Sequence, residues 1–95
     1  MSRMHNPPHP GEVLREWIPP DVNVTQAAHA LQINRVTLSN LLNGKAGVTA
    51  NIALRLSAWL GTTPEHWLGL QTQWDLWHAR QQPRPRIKPL ARQAA

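Results

Sequence analysis

Apolar residues along this chain fall into short clusters with helical spacing, separated by prolines, glycines and small polar residues. Val13, Leu14, Trp17 and Ile18 stand at i, i+1, i+4 and i+5, one face of a short helix. Pro10 occupies a first helical position, where its missing N–H costs nothing, and Pro19-Pro20 ends the segment. Asn23, with Gln26 three residues on, opens a second helix in a capping-box-like start. Ala27, Ala28 and Leu31 form its buried side, and the alanines let another helix come close. Asn34 caps a third helix, with Leu38, Leu41 and Leu42 inward, and Asn43-Gly44 suits a left-handed C-terminal turn. Thr49 caps a fourth over Ala50 to Leu60, whose stripe is Ile52, Ala53, Leu56, Trp59 and Leu60. Thr63-Pro64-Glu65 joins cap, proline and acid at the start of a fifth, which runs to about Gln81. No segment alternates with period two over a useful length. The pattern predicts an all-α, five-helix domain over 10–81, a flexible N-terminal arm over 1–9, and a disordered basic tail over 82–95.

Composition narrows the class. Ninety-five residues make one small domain. The absence of Cys excludes disulfides, thiolate zinc sites and Cys nucleophiles. No apolar run near the start resembles a signal peptide and none is long enough to span a membrane, so a cytoplasmic protein without membrane contact is expected. The net charge of +5 belongs to the tail. Up to residue 79, Arg3, Arg15, Arg35, Lys45 and Arg55 balance Glu12, Glu16, Asp21, Glu65 and Asp75. Arg80, Arg84, Arg86, Lys88 and Arg92 then follow without an acid. Between Asp21 and Glu65 there is also no acid, while Arg35, Lys45 and Arg55 lie there. That window points to a binding face better than the total charge does.

The second and third helices, joined by about three residues, suit a helix-turn-helix. After Leu38, Leu41 and Leu42 turn inward, Arg35, Val36, Ser39, Asn40 and Asn43 remain outside. A merely solvated face usually carries Glu and Lys. This one offers side chains that read base edges: Arg pairs with guanine, Asn with adenine, and Val touches a thymine methyl.

The segment Val22–Lys45 resembles the helix-turn-helix of phage-repressor-type regulators, and residues 9–80 resemble the HigA-type antitoxins of bacterial toxin–antitoxin operons. His9-Pro10-Gly11-Glu12-Val13-Leu14 is similar to that family's HPGE-x-L opening. The run from Leu41 to Thr49 is similar to its LLNGK-x-G-[IV]-[ST] turn, and Ala53-Leu54-Arg55-Leu56 to its A-x-RL helix. The segment Leu60 to Gln71 resembles LGTSPE-x-W-x-x-LQ, and Asp75-Leu76-Trp77 the closing DLW. The resemblance implies a recognition helix beginning at Asn34, with Arg35, Val36, Ser39 and Asn40 facing bases. Thr25, Gln26, Asn34, Asn43 and Lys45 would lie near phosphates. It also implies a DNA-binding autorepressor that neutralises a cognate HigB-type toxin, a RelE-like mRNA-cleaving ribonuclease. Two positions depart from the family: Gln32 stands where Gly is common, and Val24 where many relatives carry a phosphate-contacting Gln.

Other constellations are weaker. His5 and His9 are four apart, but Pro7 and Pro8 forbid the helix that would align them, so neither a metal nor another cofactor is expected. Trp67, Leu70, Trp74 and Trp77 step by three, four and three along the fifth helix. With Trp59 they predict a homodimer interface through the fourth and fifth helices, since such rings are enriched at association surfaces. The few carboxylates form no facing pair, and no nucleophile elbow or phosphate loop is present, so an enzyme is not expected. Two alternatives stand beside the antitoxin: a stand-alone or phage-derived regulator without a toxin, and a helical interaction module that no longer binds DNA.

Overall fold

A computed structural model describes residues 6–91. Its helices are α1 (Pro10–Trp17), α2 (Val24–Leu31), α3 (Arg35–Leu42), α4 (Ala50–Leu60) and α5 (Pro64–Gln81). No strand occurs among the described residues. Each helix starts at a residue whose side chain accepts a backbone N–H: His9, Asn23, Asn34, Thr49 and Thr63. Four of these caps follow from the sequence pattern. The fifth, His9, does not.

His9 corrects the expected arm at its inner end. The residue is only 4% exposed. Its Nδ1 accepts the Gly11 N–H at 2.9 Å, and the Glu12 carboxylate accepts the His9 N–H at 3.1 Å. This is a reciprocal cap with an imidazole where a hydroxyl usually stands. The ring meets Trp74 of α5 edge to face, with centroids 4.8 Å apart. His9 is therefore held between α1 and α5, and belongs to the domain. Residues 1–5 of the expected arm lie outside the described residues. The next two residues explain why α1 can sit so low. Pro10 is buried at the first helical position. A Cβ on Gly11 would overlap the Leu41 carbonyl oxygen and stand 3.1 Å from the Leu42 Cα. Thus α1 crosses the end of α3 backbone against backbone, a contact that only glycine allows.

The core gathers one or more residues from every helix: Leu14, Ala27, Ala28, Leu31, Leu38, Leu41, Leu42, Ala53, Leu56 and Trp67, with Val48 from the loop after α3. Packing runs α1 on α3, α2 on α3 and α4, and α5 on α4 and α1. The loop between α3 and α4 is tied to α5 by Gln71, whose Oε1 accepts the Val48 N–H at 2.7 Å. Its Nε2 donates to Asp75 Oδ1 at 2.9 Å, which fixes the amide orientation. Beyond α5, residues 83–91 have no regular secondary structure and lie exposed. Arg92 of the expected basic tail falls outside the described residues. Among the described residues no helix is long and apolar enough to cross a membrane.

The tryptophans divide differently from the expected stripe. Trp67 has no exposed surface, and its Nε1 donates to Thr62 Oγ1 at 2.7 Å. It cannot form part of a partner-facing surface, because α1 and the start of α5 already close over it. Trp74 is half-buried, between His9 and His78. Trp59, Leu70 and Trp77 are also half-buried. The large apolar side chains left most open on the helices are Val36, Leu54, Leu76 and Trp17, of which the periodicity of α5 points to none.

Burial holds His9 below its ordinary pKa of 6.5, against the opposing pull of Glu12 and Asp75. The neutral ring is also required by geometry, since Nδ1 must accept the Gly11 N–H. The unfolded chain thus takes up this proton before the folded one does. The His9 contribution to stability is full above the unfolded value and is lost as pH falls through 6.5 toward the lower folded value. Thermal melts between about pH 7.5 and 5.5 should show falling stability, and His9→Asn, which can still cap, should flatten that profile. An equally steep profile in the variant would assign the effect to other groups.

Candidate nucleic-acid interface

The candidate surface is built from the two ends of α3. At its N-terminal end, the chain leaves α2 through Gln32 with φ 57° and ψ 43°, the left-handed region. Gln32 carries a Cβ there, at a cost of roughly 1–2 kcal/mol. Arg55 of α4 offsets part of it: Nη1 donates to the carbonyls of Leu31 and Gln32, each at 3.0 Å. Its Nε donates to Asn51 Oδ1 at 2.7 Å. The guanidinium therefore closes the end of α2 and sets the angle at which α3 departs. Although Arg55 lies in the acid-free window, these bonds hold it on the turn.

Asn34 then caps α3, its Oδ1 accepting the Val36 N–H at 2.7 Å. On the outer face, Arg35 and Val36 are exposed, Val36 by 63%, while Ser39 and Asn40 are partly open. Positions 35, 36, 39, 40 and 43 share one face, opposite Leu38, Leu41 and Leu42 in the core. The structure thus brings together Arg35, Val36, Ser39 and Asn40 as one surface of mixed donors, acceptors and a small apolar group.

The flanking polar residues are also placed. Gln26 Oε1 accepts the Asn23 N–H at 2.9 Å, and the Gln26 backbone N–H donates to Asn23 Oδ1 at 2.8 Å. The capping box occupies the Gln26 oxygen and leaves its NH2 group for a partner. Thr25 beside it is exposed. Past α3, Gly44 at φ 73° turns the chain, and the Lys45 N–H returns to the Asn40 carbonyl at 2.8 Å. This leaves the Lys45 side chain exposed. Asn43 is held by a residue absent from the sequence-based list. Arg15 of α1 donates from Nη2 to Asn43 Oδ1 at 2.8 Å and from Nε to the Leu42 carbonyl at 3.1 Å. Its only sequence signal is a position one residue beyond the HPGE-x-L motif. Among the described residues, no three His, Asp or Glu side chains gather as a metal site would require. The surface can therefore accept an elongated partner presenting hydrogen-bonding edges between lines of negative charge.

No protein-family model matches the chain. It is 42% identical over 85 residues to antitoxin HigA-1 of Vibrio cholerae, an alignment covering 84% of this chain and 80% of that protein. The chain belongs to the HigA family of antitoxins. Among solved structures, a HigA-family addiction module antidote protein from Coxiella burnetii superposes with a TM-score of 0.78 at 39% identity, covering 81% of this chain and 86% of that one. Antitoxin GraA, solved in complex with its operator, gives 0.75 at 44% identity, covering 86% and 85%. Within this HigA-family chain the family motifs acquire physical content. HPGE is cap, helix start, close approach and reciprocal cap. The Gln of the LQ pair, Gln71, holds the loop after α3.

The departure at Gln32 has a measurable consequence. Gln32→Gly should raise stability by about 1 kcal/mol, seen as a melting temperature roughly 4–8 °C higher for a domain this size. An unchanged or lower melting temperature would mean that the left-handed turn is not strained by its side chain.

Proposed function

We propose that this chain is the antitoxin of a toxin–antitoxin operon and represses that operon by binding DNA as a homodimer. The observation that carries this reading is the outward face of α3, where Arg35, Val36, Ser39 and Asn40 stand together without an acid. The relative solved with its operator supports it by fold and identity. In this reading α3 enters the major groove. Arg35 offers two donors to a guanine edge, Asn40 pairs with adenine, Ser39 adapts to either base, and Val36 packs on a thymine methyl. Thr25, Gln26, Asn34, Asn43 and Lys45 hold phosphates on either side and set the register. A two-fold dimer meets half-sites about one helical turn apart, near 34 Å.

The dimer rests on apolar groups that the folded monomer leaves open on α4 and α5. Leu54 is 58% and Leu76 46% exposed, with Trp59 and Trp77 half-buried on the same helices. The antitoxin role that HigA-1 carries in its name supports a toxin partner, and in this reading that toxin is a HigB-type, RelE-like ribonuclease bound directly by the antitoxin. The cytoplasm is where such an operon and its messages meet.

Footprinting on DNA flanking the gene's own start, at about physiological salt with random DNA as competitor, should protect a two-fold site. An Arg35→Ala/Asn40→Ala double variant should lose that protection while keeping weak non-specific binding, since each base-reading pair is worth roughly 1–3 kcal/mol. Equal loss on random DNA would remove the base-reading role. For the dimer, Leu54→Glu with Leu76→Glu should shift the sedimenting species from two chains to one without unfolding them. A dimer that survives both changes would place the interface elsewhere.

A further inference from the structure

Arg15 and Asn43 are 28 residues apart, yet their side chains meet at the foot of the recognition helix. We infer that Arg15 is a positioning residue, which orients the Asn43 amide so that its N–H edge faces the DNA backbone. The inference rests on the DNA-binding reading above and concerns how the same surface is set before DNA arrives.

Donor and acceptor identities fix the orientation of the Asn43 amide. A guanidinium has only donors. Arg15 Nη2 stands 2.8 Å from Asn43, so the amide must turn its oxygen inward, toward α1. The Nδ2 group then faces the other way, 3.4 Å from Ser39 Oγ one turn back on the recognition face. That contact is long, and Nδ2 has a second N–H, so Asn43 presents a donor edge at an exposed position. A phosphate oxygen only accepts. An unconstrained Asn amide flips between its two orientations, and in one of them it offers an oxygen to the phosphate. Arg15 removes that orientation, because it would set the amide NH2 against the guanidinium.

Arg15 itself is anchored independently of Asn43. Its Nε bonds the Leu42 carbonyl at 3.1 Å, one of the last carbonyls of α3 that lack a partner within the helix. The positive charge also complements the negative end of the α3 dipole. The arrangement therefore survives loss of the Asn43 side chain, whereas the Asn43 orientation does not survive loss of the guanidinium. Ser39 is affected in turn. With a donor on one side, its hydroxyl proton is directed outward and favours base edges that accept.

The test uses the full chain and operator duplex, with titrations at roughly 50–200 mM salt. Arg15→Met keeps much of the aliphatic stem. It should weaken operator binding about three- to tenfold, the scale of one neutral hydrogen bond, with the salt dependence unchanged. Asn43→Ala should lose a similar factor, and the double variant no more than the larger single loss. Asn43→Asp should fold as well as the parent or better, since the carboxylate still accepts from Arg15. It should nonetheless bind DNA more weakly than Asn43→Ala, because both of its edges now accept.

A salt slope shallower by about 0.9 in Arg15→Met would mean that Arg15 itself neutralises a phosphate, and would overturn the proposal. Additive losses in the double variant, or an Asn43→Asp protein that binds like the parent, would do the same. If Arg15→Met melts too low to titrate, Asn43→Asp decides alone. A parent protein that does not prefer its operator to random DNA would instead defeat the DNA-binding reading. Selective binding by the parent, untouched by Asn43→Asp, would defeat the positioning role only.

Discussion

A helix of eight residues has little stability of its own in water, and α3 is that short. Its direction depends on what closes upon its two ends. The decisive contact is at the C-terminal end, where Gly11 of α1 lies directly against the Leu41 and Leu42 backbone. Any larger residue at position 11 would push α1 away. That shift would carry His9 off Trp74 and Arg15 off the Leu42 carbonyl. One missing side chain thus lets a cap, an aromatic contact and a guanidinium clamp converge on a single helix end. The N-terminal end is held by a second clamp, Arg55 on the carbonyls of Leu31 and Gln32.

This arrangement sorts the basic residues of the domain by role. Arg15 and Arg55 look inward and satisfy carbonyls at helix ends, where a fixed fork of donors serves better than a mobile ammonium. Arg35 and Lys45 remain outside, near opposite ends of the exposed α3 face. A nearly neutral domain can thereby present a positive edge without a large net charge, because the acids are placed elsewhere. Glu12 caps α1, and Asp75 braces Gln71. Most of the surplus charge lies beyond the packed helices: Arg84, Arg86 and Lys88 stand in the exposed residues after α5, and Arg80 in its last turn. Rim charge of that kind acts on the approach to a polyanion more than on the choice of site.

The apolar residues show the same division between what holds the monomer and what it leaves open. In place of Phe or Tyr, the core closes with one tryptophan, Trp67. Trp17 covers it from α1, edge to face, with centroids 6.3 Å apart. Small alanines in α2 and α4 let the neighbouring helices approach closely around it. Leu54 and Leu76 take no part in that core and remain as apolar surface on adjacent helices.

Local signals determined a good deal here. Caps, prolines and helical periodicity place all five helices, since each depends on residues within a turn of the boundary. The same periodicity leaves Arg35, Val36, Ser39 and Asn40 over once the leucines of α3 are turned inward. The family resemblance marked Gln32 as standing where Gly is common, and the backbone there is left-handed. Contacts between distant segments were not legible. His9 looked like part of a loose arm because nothing nearby announces Trp74, 65 residues later. Arg15 entered only as one charge among those that balance the acids, and Arg55 as one of the cations of an acid-free window, because their carbonyl partners are 27 and 24 residues away. Trp67 looked like a partner-facing ring, because helical spacing assigns residues to a face without saying what covers that face. Spacing along the chain thus decided where helices begin and what each face carries, through interactions reaching one turn. Only the packed fold decided which side chains were already engaged, because burial and long-range hydrogen bonds depend on which helices meet.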